Sequence, residues 1–271
     1  MDRLEASRIR IAGAEVRVVA RCTSTNAVLL AERPAQPVLL AAEEQTAGRG
    51  TRGRTWRSAP GAGATFTLMR RMRCAPRELA GLSLAVGVAA ARALRALGAR
   101  EIALKWPNDL QAGGRWEGAK LGGILIETRI QGGSVYAAVG IGINCRPAGG
   151  LGTRLRRRVV ALDELVTPPP NRNAVIAAVG AEVLRALETF EREGMGAFAQ
   201  AWRALDRYDG KRLRVRTADG RTVSGIAAGI APSGALRLRT PGGTREVASG
   251  RIVENASRAR PTAPPAAAAT R

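Results

Sequence analysis

The 271-residue sequence predicts an α+β fold, in which a large domain with a mixed or antiparallel sheet and helices is followed by a small SH3-like β-barrel. Two observations support this prediction. Strand-like and helix-like segments do not alternate regularly over residues 1–208, unlike a parallel βαβ sheet. After Asp209-Gly210 the chain becomes a series of short strands broken by turns, as in small barrels. We therefore expect domains at 1–208 and 209–254, with the Ala/Pro/Arg segment 255–271 as a disordered tail.

The elements of the large domain follow from apolar periodicity. Runs of apolar and β-branched residues predict strands at 16–22, 38–43, 65–69, 102–106, 121–130 and 135–145. Gln131-Gly132-Gly133-Ser134 indicates a hairpin between the last two strands. Helical spacing predicts helices at 27–32, 76–97, 172–193 and 196–205. Four or five barrel strands are expected within 211–254.

Composition excludes several kinds of chemistry. The chain has no histidine, which removes Ser-His and Cys-His nucleophile pairs and most catalytic zinc sites. Cys22, Cys74 and Cys145 lie far apart in the sequence, so neither a disulfide framework nor a structural zinc site is expected. The sequence has neither an apolar stretch of membrane-spanning length nor the pattern of a signal peptide. We predict a cytoplasmic protein that does not enter a membrane.

The net charge of +21 suggests nucleic acid as a partner, but the kind of basic residue weakens that inference. Three of the 43 basic residues are lysines, at 105, 120 and 211, and the rest are arginines. Such a bias is typical of compositional drift. A lysine is a compact point charge that the planar arginine does not replace, so the remaining lysines are the informative positions.

Gly48-Arg49-Gly50-Thr51-Arg52-Gly53 fits the G-x-G-x-x-G dinucleotide fingerprint. That fingerprint requires the glycine turn to open a helix whose N-terminus holds the pyrophosphate. Here the following residues include Pro60 and lead into a predicted strand. We therefore reject the dinucleotide interpretation.

Five motifs in order resemble those of the biotin protein ligase family: Ser24-Thr25-Asn26, the loop 48–56, Lys105-Trp106-Pro107-Asn108-Asp109, Lys120-Leu121-Gly122-Gly123-Ile124-Leu125 and Gly140-Ile141-Gly142-Ile143-Asn144. The resemblance runs from about residue 18 to residue 253. It implies a ligase without the N-terminal DNA-binding domain that some members carry. The implied reaction joins biotin to a lysine of a biotin carboxyl carrier protein, such as that of acetyl-CoA carboxylase, through biotinyl-5′-AMP.

The resemblance also implies substrates, partners and residue roles. Biotin and ATP are the substrates, with Mg²⁺; specific DNA binding is not expected, and a homodimer is left open. Biotin would contact Ser24, Thr25, Asn26, Gln45, Arg49, Gly50, Thr51, Lys120, Gly123 and Gly142. ATP or the adenylate would contact Gly48, Arg49, Arg52, Trp56, Asn108, Lys120 and Asn144. Lys120, Arg49 and Lys105 would be catalytic, and Asp109 is a candidate Mg²⁺ ligand.

Each motif also has a plain structural interpretation. Residues 24–26 suit a helix cap, and the arginine-glycine loop could be a solvated basic turn. Trp56 could be an ordinary buried tryptophan, and Lys120 a surface lysine at a strand edge. Pro-Asn-Asp is a common turn, and glycines in strands also mark bulges.

Two alternatives remain open, and one departure from the family pattern stands out. A lipoate-protein ligase or octanoyltransferase shares the core fold, and Cys145 keeps the transferase in question. A basic nucleic-acid-binding protein would need clustered aromatic residues near the basic loops, which the sequence lacks. Many family members have a basic residue where this chain has Thr51, at a position linked to retention of the adenylate. Arg52 or Arg54 could supply the missing charge, or the intermediate could leak.

Overall fold

The computed structural model describes residues 2–147 and 158–253, so the predicted tail at 255–271 lies outside the described residues. Its larger part is built on a seven-stranded sheet with the order β1-β2-β3-β7-β6-β5-β4. The strands are β1 (Glu15–Cys22), β2 (Val38–Gln45), β3 (Gly63–Met72), β4 (Ile102–Lys105), β5 (Asp109–Ala112), β6 (Lys120–Gln131) and β7 (Ser134–Asn144). β1 pairs parallel to β2, and the other neighbouring pairs are antiparallel, which confirms the mixed sheet.

Helices cover both faces of this sheet. They are α1 (Thr25–Glu32), α2 (Leu82–Ala96), α3 (Arg172–Glu193) and α4 (Gly196–Leu205). Alternate residues of β2 enter different cores: Leu39 joins the large core that contains α2 and α3, whereas Leu40 packs with Leu29 of α1. This alternation follows from the two-residue period of a strand. No helix in the described part of the chain is long and apolar enough to cross a membrane.

Two sequence predictions were wrong in detail. The helix expected at 76–97 begins at Leu82, and Pro76–Leu79 form a separate 3-10 turn. Gly81 separates the two elements with a φ of +84°, which a right-handed helix does not accommodate. Strand β5 directly follows the Pro-Asn turn and was not expected, because four residues give too short a pattern to be recognised.

The C-terminal part is a five-stranded antiparallel sheet, as the turn pattern predicted. Its strands are β8 (Arg212–Thr217), β9 (Thr222–Ile230), β10 (Leu236–Thr240), β11 (Gly243–Val247) and β12 (Gly250–Ile252), in the order β11-β10-β9-β8-β12. The indole N–H of Trp106, the residue after β4, donates to the Gly234 carbonyl at 3.1 Å. The two sheets are therefore joined directly behind the Lys-Trp-Pro-Asn-Asp motif.

Candidate active site

The buried start of α1 forms one wall of a cavity of about 590 Å³. Ser24, Thr25 and Asn26 line this cavity and are each less than 5% exposed. Ser24 occupies the N-cap position of α1, but its side chain makes no capping hydrogen bond. The hydroxyl therefore does not serve as the ordinary helix cap that the sequence left open.

Hydrogen bonds from neighbouring strands fix the other two side chains. The backbone N–H of Thr25 donates to Gln45 Oε1 at 2.7 Å, and the Thr25 hydroxyl lies 3.1 Å from the same oxygen. Thr67 Oγ1 donates to Asn26 Oδ1 at 2.5 Å. A Cβ on Gly140 would overlap the Asn26 amide, so glycine is required there. These contacts hold the polar side chains at this end of the cavity in one arrangement.

The arginine-glycine loop closes on itself beside this wall. Gly50 N–H donates to the Arg54 carbonyl at 2.7 Å, and Trp56 N–H donates to the Gly48 carbonyl at 2.9 Å. Arg49, Thr51 and Trp56 line the cavity, whereas Gly48 and Gly50 are not among its lining residues. The backbone of the loop is thus ordered by its own hydrogen bonds, unlike a simple solvated turn.

The arginines of the loop have different partners. Arg49 Nη2 lies 3.0 Å from Glu127 Oε2. Arg54 Nη2 donates to Thr51 Oγ1 at 3.1 Å. Both residues line the cavity, so a charged side chain lies beside the uncharged Thr51. Arg52 donates instead to the Gly250 carbonyl in the C-terminal sheet, and burial together with nearby Arg54 lowers the pKa of its guanidinium. Of Arg52 and Arg54, it is therefore Arg54 that stands beside Thr51 in the cavity.

The Trp56 indole lies against the bare backbone of β7. A Cβ on Gly142 would overlap the indole, so the ring occupies the space that this glycine leaves. Lys120 Nζ lies 5.7 Å from the ring centroid, within the range of a cation–π contact. The Trp56 Nε1 and the Thr65 Oγ1, which both belong to cavity-lining residues, are buried without a hydrogen-bond partner among the described residues. The cavity thus offers two polar atoms that a ligand could satisfy.

Lys120 stands at the start of β6 and is only 8% exposed, which does not fit a surface lysine. Its Nζ lies 2.5 Å from Asp109 Oδ1 across the neighbouring strand. Asn108 Nδ2 donates to the Ile124 carbonyl at 2.8 Å and lies 3.4 Å from Thr51 Oγ1. The Lys-Trp-Pro-Asn-Asp and Lys-Leu-Gly-Gly motifs therefore meet at the floor of the cavity.

Other residues expected at the site lie beside the cavity. Lys105 contacts the Tyr208 ring at 5.9 Å and lines a small neighbouring crevice. Asn144 Nδ2 donates to the carbonyls of Lys120 and Val160, both at 3.3 Å, so the amide braces the start of β6. Asp109 is paired with Lys120, and no group of three possible metal ligands occurs within the described ranges.

Several cavity residues were not expected from the sequence. They are Arg57, Thr65, Phe66, Gly140 and, through its contacts with Asn26 and Arg49, Glu127. Strand periodicity could have found two of them. Glu127 lies four residues after Gly123 in β6, and Gly140 lies two residues before Gly142 in β7, so each shares a strand face with an expected residue.

Cys145 was the residue that left an octanoyltransferase, which uses an active-site thiol, as an alternative function. Its side chain is fully buried, and burial raises the pKa of the thiol to about 12. A thiol held in that state has almost no nucleophilic thiolate at neutral pH. Cys145 also lies outside the set of cavity-lining residues.

A mixed sheet whose arginine-glycine loop and buried lysine share one cavity, followed by a small β-sheet unit, defines the class of biotin and lipoate protein ligases. Residues 17–144 match the Biotin/lipoate A/B protein ligase family model, and residues 210–253 match the Biotin protein ligase C terminal domain. The biotin–[acetyl-CoA-carboxylase] ligase of Mycobacterium tuberculosis is 34% identical over 250 residues, covering 88% of each chain. This chain belongs to the biotin protein ligase family.

Further relatives agree with this assignment. The bifunctional ligase/repressor BirA of Escherichia coli is 36% identical over 202 residues, which are 74% of this chain. The match spans only 61% of that relative's own length. The solved biotin protein ligase of Aquifex aeolicus, in complex with biotin and ATP, superimposes with a TM-score of 0.73 at 25% identity. That alignment covers 88% of this chain and 97% of the other.

Proposed function

We propose that the protein activates biotin with ATP and transfers it to a lysine of a biotin carboxyl carrier protein. The observation that carries the proposal is the meeting of three features in one cavity: the buried Ser24-Thr25-Asn26 group, the guanidinium of Arg49 and the ammonium of Lys120. A neutral polar pocket beside two cations suits an acid with a polar head group and a phosphate next to its carboxylate. Family membership supports the same substrates.

Both nucleophiles of this reaction come from the substrates. The biotin carboxylate attacks the α-phosphorus of ATP, and the bond to pyrophosphate breaks. The amine of the acceptor lysine then attacks the acyl carbon of the adenylate, the bond to AMP breaks, and the amine loses a proton. The protein has to align the anionic groups and stabilise the charge that develops in the transition state. Arginine, lysine and backbone N–H groups can do this without a histidine.

The residue roles extend the same proposal. Ser24, Thr25, Asn26 and Gln45 would bind the biotin head group. Its rings would pack against Gly123 and Gly142 once the Trp56 indole, which fills the space over Gly142, is displaced. Arg49 and Lys120 would hold the carboxylate and the α-phosphate. Arg54 is the cation beside Thr51 that would face the phosphate.

Further roles concern the nucleotide. Trp56 would cover the adenylate, and Asn108 would contact the nucleotide. Lys105, beside Tyr208, would act at the rim, towards the leaving phosphates or the acceptor lysine.

Mg²⁺ would arrive with ATP rather than occupy a resident site. One carboxylate and the substrate's phosphates can satisfy this ion, which keeps several water ligands. Asp109 is a carboxylate next to the cavity, in the small neighbouring crevice, but it is paired with Lys120. When bound, Mg²⁺ would neutralise part of the triphosphate charge.

ATP–pyrophosphate exchange with biotin, with lipoate or with no acid tests the proposal. We expect exchange with biotin and only background exchange in the other two reactions. Exchange that requires lipoate and ignores biotin would refute it in favour of the lipoate ligase. Transfer to a carrier protein, and its loss when the acceptor lysine is replaced by arginine, tests the second step.

Location and assembly stay predictions. A cytoplasmic location, a homodimer and the lack of specific DNA binding rest on the sequence. Gel filtration of the purified protein with and without biotin and ATP measures the oligomeric state directly.

A further inference from the structure

Glu127 is a carboxylate in the middle of β6 that joins two separate parts of the cavity. Its Oε2 atom accepts a hydrogen bond from Asn26 Nδ2 at 2.9 Å and lies 3.0 Å from Arg49 Nη2. One oxygen atom thus contacts both the polar group at the start of α1 and the arginine of the loop. Its side chain is about a quarter exposed, and that of Arg49 is less than half exposed.

The two partners of Glu127 differ in how firmly they are held. Asn26 is 3% exposed, accepts a hydrogen bond from Thr67 and donates to the Leu125 carbonyl at 3.3 Å. Arg49 belongs to the loop, and its pair with Glu127 is the loop's one ion pair within the described residues. The Asn26 side chain is therefore firmly held. Glu127 contacts both residues, so it fixes the Arg49 guanidinium relative to Asn26.

The contact leaves Arg49 able to bind an anion. The pair with Glu127 uses Nη2, whereas a guanidinium carries five N–H donors in a rigid fork. Arg49 lines the cavity, so its remaining donors are available to a ligand. A carboxylate that engages one edge of the guanidinium restricts the orientation of the others.

We propose that Glu127 is a positioning residue that holds Arg49 at the cavity and ties its position to the group that receives the acid substrate. This inference rests on the proposed function, because Arg49 acts there on the carboxylate and the α-phosphate. Glu127 itself does not touch the reacting atoms. Its effect reaches the reaction through Arg49 and, separately, through Asn26.

Two substitutions separate these two effects. Glu127→Gln keeps an oxygen that accepts from Asn26 but removes the charge that attracts Arg49. Glu127→Ala removes both contacts. Glu246→Gln is the matched control, because Glu246 forms an ion pair of 3.1 Å on the C-terminal sheet with Arg237, whose side chain is about as exposed as that of Arg49.

Activity and biotin affinity are measured on the 271-residue chain. We expect Glu127→Gln to lower kcat of biotin-dependent ATP–pyrophosphate exchange about 10- to 100-fold, since small misplacements of a positioned group cost this much. Its Kd for biotin, from calorimetry, should rise by a smaller factor than kcat falls, because the contact with Asn26 is kept and only the hold on Arg49 is loosened. Glu127→Ala should weaken biotin binding as well, and Glu246→Gln should change neither quantity. A merely structural role would not separate kcat from biotin affinity in this way.

Limited trypsin digestion supplies a readout that does not depend on activity. Cleavage after Arg49, Arg52, Arg54 or Arg57, followed by mass spectrometry, reports how firmly the loop is held. We expect faster cleavage in ligand-free Glu127→Gln than in wild type or Glu246→Gln. Wild-type exchange together with wild-type cleavage in Glu127→Gln would overturn the inference. A wild-type protein that neither binds biotin nor catalyses exchange would overturn the proposed function instead, while the digestion still tests the hold on Arg49.

Discussion

The ammonium of Lys120, which lines the cavity, and the carboxylate of Asp109, which lies just outside it, are 2.5 Å apart on adjacent strands. Both side chains are largely shielded from water. A buried pair of this kind, at hydrogen-bond distance, holds the lysine side chain in place. An incoming phosphate would compete with Asp109 for the same ammonium.

We predict that Lys120→Gln lowers biotin-dependent ATP–pyrophosphate exchange by about 100- to 1,000-fold, because a preorganised cation in a water-poor site is lost. Lys120→Arg should restore only a small part of the exchange rate, since the planar guanidinium of arginine does not replace the compact ammonium of lysine. Lys211→Gln, at an exposed lysine 3.8 Å from Glu117, is the control. Equal loss in the Lys120 and Lys211 variants would contradict the role of Lys120.

Trp56 yields a prediction that needs no catalysis. Its indole fills the space above Gly142, so a ligand that packs against this backbone has to displace or stack on the ring. We expect the intrinsic fluorescence of the wild-type protein to change on addition of biotin and ATP. The change should be nearly absent in Trp56→Phe, which retains Trp106, Trp116 and Trp202. An unaltered response in Trp56→Phe would show that another tryptophan reports binding.

The sequence identified most of the cavity because its residues fall in short local motifs. Ser24, Thr25, Asn26 and Lys120 all reach the cavity, as expected. The sequence did not identify Glu127, because its significance comes from Arg49 and Asn26, which lie far from it along the chain. Strand periodicity can place Glu127 on the face of Gly123, but its contacts with a helix start and a loop depend on how these elements pack, which no local pattern specifies.

In the fold, too, some features follow from local sequence patterns and others depend on tertiary packing. Long periodic segments such as α3 were predicted at their observed bounds, Arg172–Glu193. The start of α2 and the short strand β5 were not, because backbone breaks such as Gly81 and four-residue strands leave little pattern. The parallel pairing of β1 with β2 also depends on tertiary packing, since either direction suits an apolar strand.

Thr51 leads to a prediction about retention of the intermediate. Its hydroxyl accepts from Arg54 at 3.1 Å, so one cation already stands beside it. Thr51→Arg would add a second cation to the cavity wall, and we expect slower release of biotinyl-adenylate than from wild type. Release is measured by trapping the adenylate formed on the enzyme and following its loss after dilution.

Thr51→Val serves as the matched comparison, because it keeps the shape of the side chain but removes the hydrogen bond to Arg54. We expect release from this variant at least as fast as from wild type. Equal release rates in Thr51→Arg and wild type would count against the importance of charge at this position.

Asp206 connects the stability of the protein to pH. Burial raises the pKa of its carboxyl to about 6, despite a 3.0 Å hydrogen bond from the backbone N–H of Tyr208. Its Oδ2 atom has no hydrogen-bond partner among the described residues. Because the pKa in the folded protein lies above the usual aspartate value of 3.8, folding favours the protonated form. This group therefore destabilises the fold increasingly as pH rises from about 4 through about 6, and fully above that.

Asp206→Asn removes the free-energy cost of an ionised, buried carboxylate while retaining an oxygen that accepts from the Tyr208 N–H. We expect the variant to exceed wild type in free energy of unfolding at pH 8, by an amount on the order of 3 kcal/mol for a shift of about two pKa units. The difference should shrink as pH falls through 6 and vanish near pH 4. Urea titrations of both proteins at several pH values measure it, and a difference independent of pH would show that ionisation of Asp206 is not its cause.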